Sequence, residues 1–390
     1  MDTREKIVII SLITILLVSI FMLSSCSAIS KYEERSYDVN EEFSIIIINA
    51  DIEDIIFAPS TDGKCRVVCL DEKKLTHSVS VKEGKLSIET LDYRSFFGKY
   101  FNFGKDENKI TVYLPQGANF SLMIDTDTSN VEIPAGFNFD HIDIALSTGD
   151  VNCNASSINN TKIKTSTGDI RVENAYAGAL NLAVSTGNVH VNDVACAGKV
   201  NIRTSTGDVN ISNISCSELS TQGSTGKVSI SNINATDKVI IERTTGDVEI
   251  AYGECGDLSV ETDTGDINIS GVKCNNEVKT TVTTGRVNAE EVTCNSFSST
   301  GDTGKMTLTA VVAQGKMQIE RTTGDITFYG CDAGEIYVTT DTGDVKGSFL
   351  TEKIIFATTD TGKIDIPKST VGDRCEITTT TGDVKIIIGE

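Results

Sequence analysis

With 390 residues, only 4 prolines, no tryptophan and a formal net charge of −21, the chain leans away from helices: its Gly, Thr, Asn and β-branched residues favour strands and tight turns. The acidic balance excludes a nucleic-acid binder and gives no electrostatic reason to lie flat on anionic lipid. It suits a soluble body held off a membrane, and the length would suggest two or three domains if the chain carried no repeats.

Met1 to Lys6 is charged, Ile7 to Leu23 has no charged residue, and the run ends in Leu23-Ser24-Ser25-Cys26. An apolar run closed by small residues reads as a secretory signal over residues 1–25. The string LSSC is similar to a lipobox, in which Cys26 is diacylated and becomes the new N-terminus. The alternative is an uncleaved transmembrane anchor, because this run reaches the short end of the spanning range of about 17–25 residues. Either reading puts the rest of the chain outside the cytoplasm, on a polar tether over residues 26–38.

Residues 39–125 alternate like strands in FSIIIINADIEDIIF, KCRVVCL, SVSVKEGKLSIET and NKITVYLP. They read as irregular opening rungs that cap the N-terminal end of the fold. Within them, Tyr93 to Asn108 reads as an inserted aromatic loop. Phe96, Phe97, Tyr100, Phe101 and Phe103 make it the one concentrated candidate for ligand contact, since exposed aromatics anchor partners and glycans. A cap folded back on the body is the other reading.

From residue 126 to 390 a Thr-Gly pair recurs every 19 or 20 residues, at Gly149, Gly168, Gly187, Gly207, Gly226, Gly246, Gly265, Gly285, Gly304, Gly324, Gly343, Gly362 and Gly382. A degenerate copy, Thr128-Ser129-Asn130, precedes them. A fixed short period marks a solenoid. Apolar residues alternate on both sides of each glycine (Val200 and Ile202, then Val209 and Ile211), which means strands with one buried face. A second corner lies six residues past the glycine, where Asn174, Asp193, Asn213, Asn232, Gly271 and Gly330 tolerate left-handed backbone. Tyr252 and Phe349 break that column. The expected fold is all-β: a parallel β-solenoid of about 14 coils, roughly 65 Å long at the rung spacing. DVKIIIGE closes it with no evident cap.

Three columns invite functional readings. Cys196, Cys216, Cys255, Cys274 and Cys294 stand nine residues after a corner glycine and share that position with alanines. Without CxxC spacing or histidine partners they read as small core residues, unbridged. Aspartate follows eight of the corner glycines. A cation stripe is conceivable, richest at Asp325, Asp341, Asp344 and Asp360, but turn chemistry explains the column, and aspartate does not fill three successive rungs along the sequence. Thr165/Thr167, Thr204/Thr206, Thr262/Thr264 and Thr340/Thr342 resemble an ice-binding array, yet they continue the inward phase and alternate with Val184, Arg243, Val282 and Arg321. His77, His141 and His190 fall in unrelated contexts, and no GxSxG, HExxH or P-loop occurs.

The opening FSIIIINADIEDI, the KITVYLPQGANFSL segment and the repeated STGDV, TTGDV and DTGDI units together resemble the bacterial "putative adhesin" family of β-strand repeats, a domain of unknown function related to GIN-type adhesin heads. The resemblance covers about residues 40–390. It implies an extracytoplasmic β-helix with a role in adhesion or envelope homeostasis, and it supplies no catalytic residues. The expectation is a surface-anchored, non-catalytic binding or structural module, with no cofactor and no nucleic acid. Its partners would be a surface ligand (glycan, cell wall or protein) and the membrane at its anchor. The alternatives are a carbohydrate-active enzyme on the same scaffold and an envelope-stress sensor or partner subunit.

Overall fold

A computed structural model describes residues 33–72, 74–93, 108–117 and 119–389. Among them every regular element is a strand, and the strands join in one continuous sheet wound into a parallel β-solenoid. One coil shows why. Val209 and Ile211 point inward, Asn213 bends the chain at φ 52°, Ile214 and Cys216 line a short side, and Leu219 and Thr221 run along the second wall to the next Thr-Gly corner. The next coil repeats these positions in register: Val189, Val209, Val228, Val248 and Ile267 stack as direct partners. Alternation therefore becomes a continuous buried strip, the only core a one-dimensional fold needs.

The second corner is left-handed at Asn174, Asp193, Asn213 and Asn232, with φ from 52° to 54°. Tyr252, expected to break the column, keeps it at φ 59°. Its ring lies where a side chain on Gly271 of the next coil would sit, 2.7 Å from that Cβ position. Phe349 does depart. The register slips between Phe328 and Cys331, and Phe349 turns inward to pack on Phe328 with ring centroids 5.1 Å apart.

The two ends differ from a simple run of rungs. We label the first strands β1 (Glu33–Val39), β2 (Ile45–Ala50), β3 (Asp54–Pro59), β4 (Cys65–Asp71), β5 (Leu75–Lys82), β6 (Lys85–Asp92), β7 (Lys109–Leu114), β8 (Phe120–Thr128) and β9 (Val131–Ile133). β2 lies between β6 and β8, and β3 between β7 and β9, all parallel. The first coil in sequence is thus second in space. Antiparallel strands then close both walls: β5 on β6, β4 on β7, and β1 on β4.

The far end repeats the device. Residues 374–381 pair on one side with the strand ending at Thr342 and on the other with Lys353–Thr361. Val384–Ile388 likewise lies between Val345–Phe349 and Ile364–Asp365. The terminal DVKIIIGE is therefore not the open end; the coil before it is. Val384 and Ile386 are fully buried, whereas Ile355, Ala357 and Thr359 of the outer coil are half-buried. Asp360, Lys363, Asp365 and Pro367 suit an unpaired edge, where charge and proline discourage further strand addition.

Candidate functional site

The residue after each corner glycine has a structural task. Asp150 Oδ1 accepts the backbone N–H of Asp169 at 2.8 Å. The same bond runs from Asp169 to Asn188, from Asp208 to Lys227, and from Asp247 to Asp266. Each side chain thereby caps a corner N–H of the neighbouring coil. Of the proposed cation group, Asp325 and Asp344 take part in this ladder, accepting the N–H groups of Asp344 and Asp383. Because the final coils are interleaved, Asp325, Asp344 and Asp383 are consecutive in space, a run the sequence order hides. Asp341 and Asp360 are exposed and separated by Thr380 of the inserted coil. The four carboxylates are not brought together. Among the described residues no His, Cys, Asp or Glu group is arranged to hold a metal.

The ten cysteines of the described residues are free and buried. Burial pushes the Cys216 and Cys294 thiols up to about 12. Cys255 and Cys274 stack with their Sγ atoms 2.9 Å apart, and the hydrogen bond to Cys255, with burial, raises Cys274 further. Thiolate is the reactive form. The folded protein should therefore resist iodoacetamide at pH 8, and the denatured, unreduced protein should take it up at all ten core cysteines. Mass spectrometry decides this, and a Cys255–Cys274 link would overturn it.

Only the first threonine of each pair faces inward; Thr167, Thr206, Thr264 and Thr342 are exposed, because the alternation slips by one at the corner. Thr165, Thr204, Thr262 and Thr340 are buried. Thr165 and Thr262 donate to the carbonyls of Gly149 and Gly246, each at 3.3 Å. These hydroxyls serve the corner rather than an outer face.

Sequence reasoning missed the buried Lys353, which reaches Asp332 at 2.6 Å and Asp373 at 3.1 Å near the far end, and a buried charged cluster in the cap. His77 is enclosed in the N-terminal cap, with Nδ1 2.7 Å from Asp71 Oδ1 and Nε2 3.5 Å from Glu53 Oε1. Arg35 Nε reaches Asp71 at 3.1 Å, and Glu53 Oε2 accepts the Asp51 and Ile52 N–H groups and the Thr90 hydroxyl. Burial alone would lower the His77 pKa, but its contacts with Glu53 and Asp71 hold it above the ordinary value. Burial would likewise raise Glu53, yet its bonds to His77 and the Ile52 N–H hold it below. The arrangement thus favours the charged form of both partners. The signal lay in the alternation: His77 shares the phase of Leu75, Asp71 that of Cys69, and Glu53 that of Ile55.

Among the described residues the outer surface carries shallow hollows. One, of about 350 Å³, lies among Lys164, Arg203, Gln222 and Gly223. Another, of about 390 Å³, lies among Tyr329, Lys346, Lys385 and Ile387. Neither is an enclosed cleft. Cys26 and the aromatic residues Phe96, Phe97, Tyr100, Phe101 and Phe103 lie outside the described residues.

A parallel solenoid of glycine-cornered coils with a structural rather than catalytic turn column defines a β-repeat module. The chain belongs to the Toastrack DUF4097 family, whose model matches residues 43–202 and again 178–292. The second match begins inside the first, as interchangeable coils allow. Among solved structures it is similar to a putative adhesin from Bacteroides fragilis, at 15% identity over 92% of this chain and 97% of the other, with a TM-score of 0.26. It is also similar to a putative cell adhesion protein from Clostridium sporogenes, at 10% identity over 92% and 100%, TM-score 0.16. A putative lipid binding protein from Parabacteroides distasonis matches at 12% identity over 91% and 97%, TM-score 0.18. These superpositions are loose. No curated protein matches the chain.

Proposed function

We propose that the chain is an extracytoplasmic, non-catalytic surface module, a rigid spacer that carries a binding end and is tethered through Cys26. The observation that supports this is the constancy of the coils. From Gly149 to Gly343 each corner glycine packs on the carbonyl of the preceding corner, with no loop inserted between coils. Enzymes on elongated scaffolds need loops that rise over a cleft. The aromatic sequence between Tyr93 and Asn108 is the segment this reading assigns to a glycan, cell-wall or protein contact.

Interchangeable coils should be removable. Deleting Asp169 to Gly207, two coils, joins Gly168 to Asp208 at the same point of the repeat. It also sets Thr165 beside Gly223 in place of Thr204, so the hydroxyl beneath Arg243 is kept. A cut from Asn188 to Gly226 would instead put Val184 beneath Arg243, where only Gly223 leaves room. The first deletion should fold, shorten the rod by about 10 Å in small-angle scattering, and keep whatever ligand a glycan and cell-wall panel detects on the full chain. A folded deletion that loses that ligand would reject the spacer reading and locate a site on the missing coils.

For the tether, Cys26→Ala should abolish metabolic lipid labelling and leave a longer precursor. Unchanged labelling would refute lipidation at this residue and leave the membrane anchor reading in its place.

A further inference from the structure

The inward column three residues before each corner glycine reads Thr204, Gly223, Arg243, Thr262, Val282, Gly301, Arg321, Thr340 in spatial order. Twice, a glycine is followed on the next coil by arginine. The pairing is steric: a Cβ on Gly223 would lie 1.5 Å from Arg243 Nη1, and one on Gly301 would lie 1.6 Å from Arg321 Nη1. Each guanidinium occupies the space its neighbour's side chain would fill. An isolated glycine inside a strand marks such close approach.

The two places share a second feature. The column five residues before the corner is aliphatic at Ile202, Ile241, Val260, Ile319 and Val338, but it turns to hydroxyls at Thr221 and Ser299, on the same coils as Gly223 and Gly301, and at the neighbouring Thr280, which donates to Ser299 Oγ at 2.8 Å. These hydroxyl residues have no exposed surface, and Arg243 and Arg321 are only 3% and 4% exposed. Arg243 Nη1 donates to Thr204 Oγ1 at 2.7 Å, and Arg321 Nη2 donates to Ser299 Oγ at 3.1 Å. Their remaining donors are unsatisfied: Nε and Nη2 of Arg243, and Nε and Nη1 of Arg321. The Thr221 and Thr340 hydroxyls beside them also lack a partner.

Neither arginine has a carboxylate within ion-pair distance among the described residues. Burial lowers both guanidinium groups to about 10, opposed at Arg243 by the more distant Asp208 carboxylate, so both stay charged at neutral pH. A buried charge without a close counter-charge is strongly unfavourable. Water could satisfy the N–H groups but would leave the charge unbalanced.

We propose that each Gly–Arg pair, Gly223 with Arg243 and Gly301 with Arg321, forms an internal binding site for a small monovalent inorganic anion of chloride size. The lining offers N–H and O–H donors around one positive charge. That matches a single halide better than a divalent oxyanion, which would overcompensate the charge and needs more room, since the guanidinium already fills the space over each glycine. The ion would act as the missing counter-charge between coils.

The test uses the full-length chain in mild detergent. Crystals grown with bromide in place of chloride should show anomalous peaks beside both guanidinium groups. At constant ionic strength, with gluconate replacing chloride, the thermal midpoint should rise with the logarithm of chloride concentration, because ligand binding to the folded state stabilises it by mass action. Arg243→Met and Arg321→Met should each remove one peak and about half of that slope, and the double variant should be indifferent to chloride. If a variant fails to fold, bromide diffraction and the chloride titration on the unmodified chain still decide. Bromide only at surface lysines and arginines, an adventitious ion only, together with a chloride-independent midpoint, would overturn the proposal.

Discussion

Gly246→Ala is expected to destabilise the solenoid by at least about 3 kcal/mol, the range in which backbone strain and core disruption combine. Gly246 has φ +145°, a region L side chains rarely adopt, and its Cβ would lie 2.1 Å from the Gly226 carbonyl oxygen. Backbone on the neighbouring coil cannot swing aside as a side chain could, so the coils must part. In a repeat protein the damage stays near its source, because stability is a sum of coil and interface contributions. Hydrogen exchange should quicken first on the coils around Gly226, Gly246 and Gly265. Two comparisons isolate the cause. Gly84→Ala, at φ +73° with nothing within 4 Å of its Cβ position, should cost only about 1 kcal/mol. Asp247→Ala removes one exposed hydrogen bond to the Asp266 N–H and should cost a similar amount. A melting point for Gly246→Ala equal to that of Gly84→Ala would refute the steric account.

The same contact explains why the fold could be read from sequence. Only glycine fits where one coil's corner lies against the carbonyl of the last, so stacking geometry prints a Thr-Gly pair on every coil. The αL bend prints less sharply. Asn213 and Gly271 show it, but Tyr252, Glu291 and Ala310 hold the same backbone, because in-register hydrogen bonds impose the bend on whatever residue arrives. The interleaving at the ends leaves no mark on the period, since Gly362 and Gly382 keep their spacing whichever lies outermost. What betrays it is composition. The outer coil carries Pro367 five residues past its glycine, where inner coils carry Ser212, Ser231 or Ser270. The Gly–Arg pairs were visible as letters, but their meaning depends on which coil faces which, and only register supplies that.

The cap should show a pH dependence of its own, set by His77. Because the folded pKa of His77 is raised above its ordinary value of 6.5, its contribution is fully present below that value and is lost as pH rises through the folded pKa. Glu53 has the opposite sign. Its folded pKa is lowered from 4.5, so its contribution is present above that value and is lost as pH falls through the folded pKa. The cluster therefore stabilises most between about pH 4.5 and 6.5, the ordinary values of the two groups. Asp71, Arg35 and the buried Cys69 thiol also face it, and Tyr37 closes it by donating to the His77 carbonyl. His77→Gln keeps the bulk but leaves Glu53 and Asp71 buried without their cation, which should cost about 3–5 kcal/mol at pH 5.5. The imidazolium is lost as pH rises through the folded pKa of His77, so between pH 5.5 and pH 9.5 the gap between the two proteins should narrow. Hydrogen exchange of β1, β4 and β5, the strands that lead to the tether, gives the readout at both pH values. An equal gap at pH 5.5 and pH 9.5 would show that His77 is held there by packing rather than by charge.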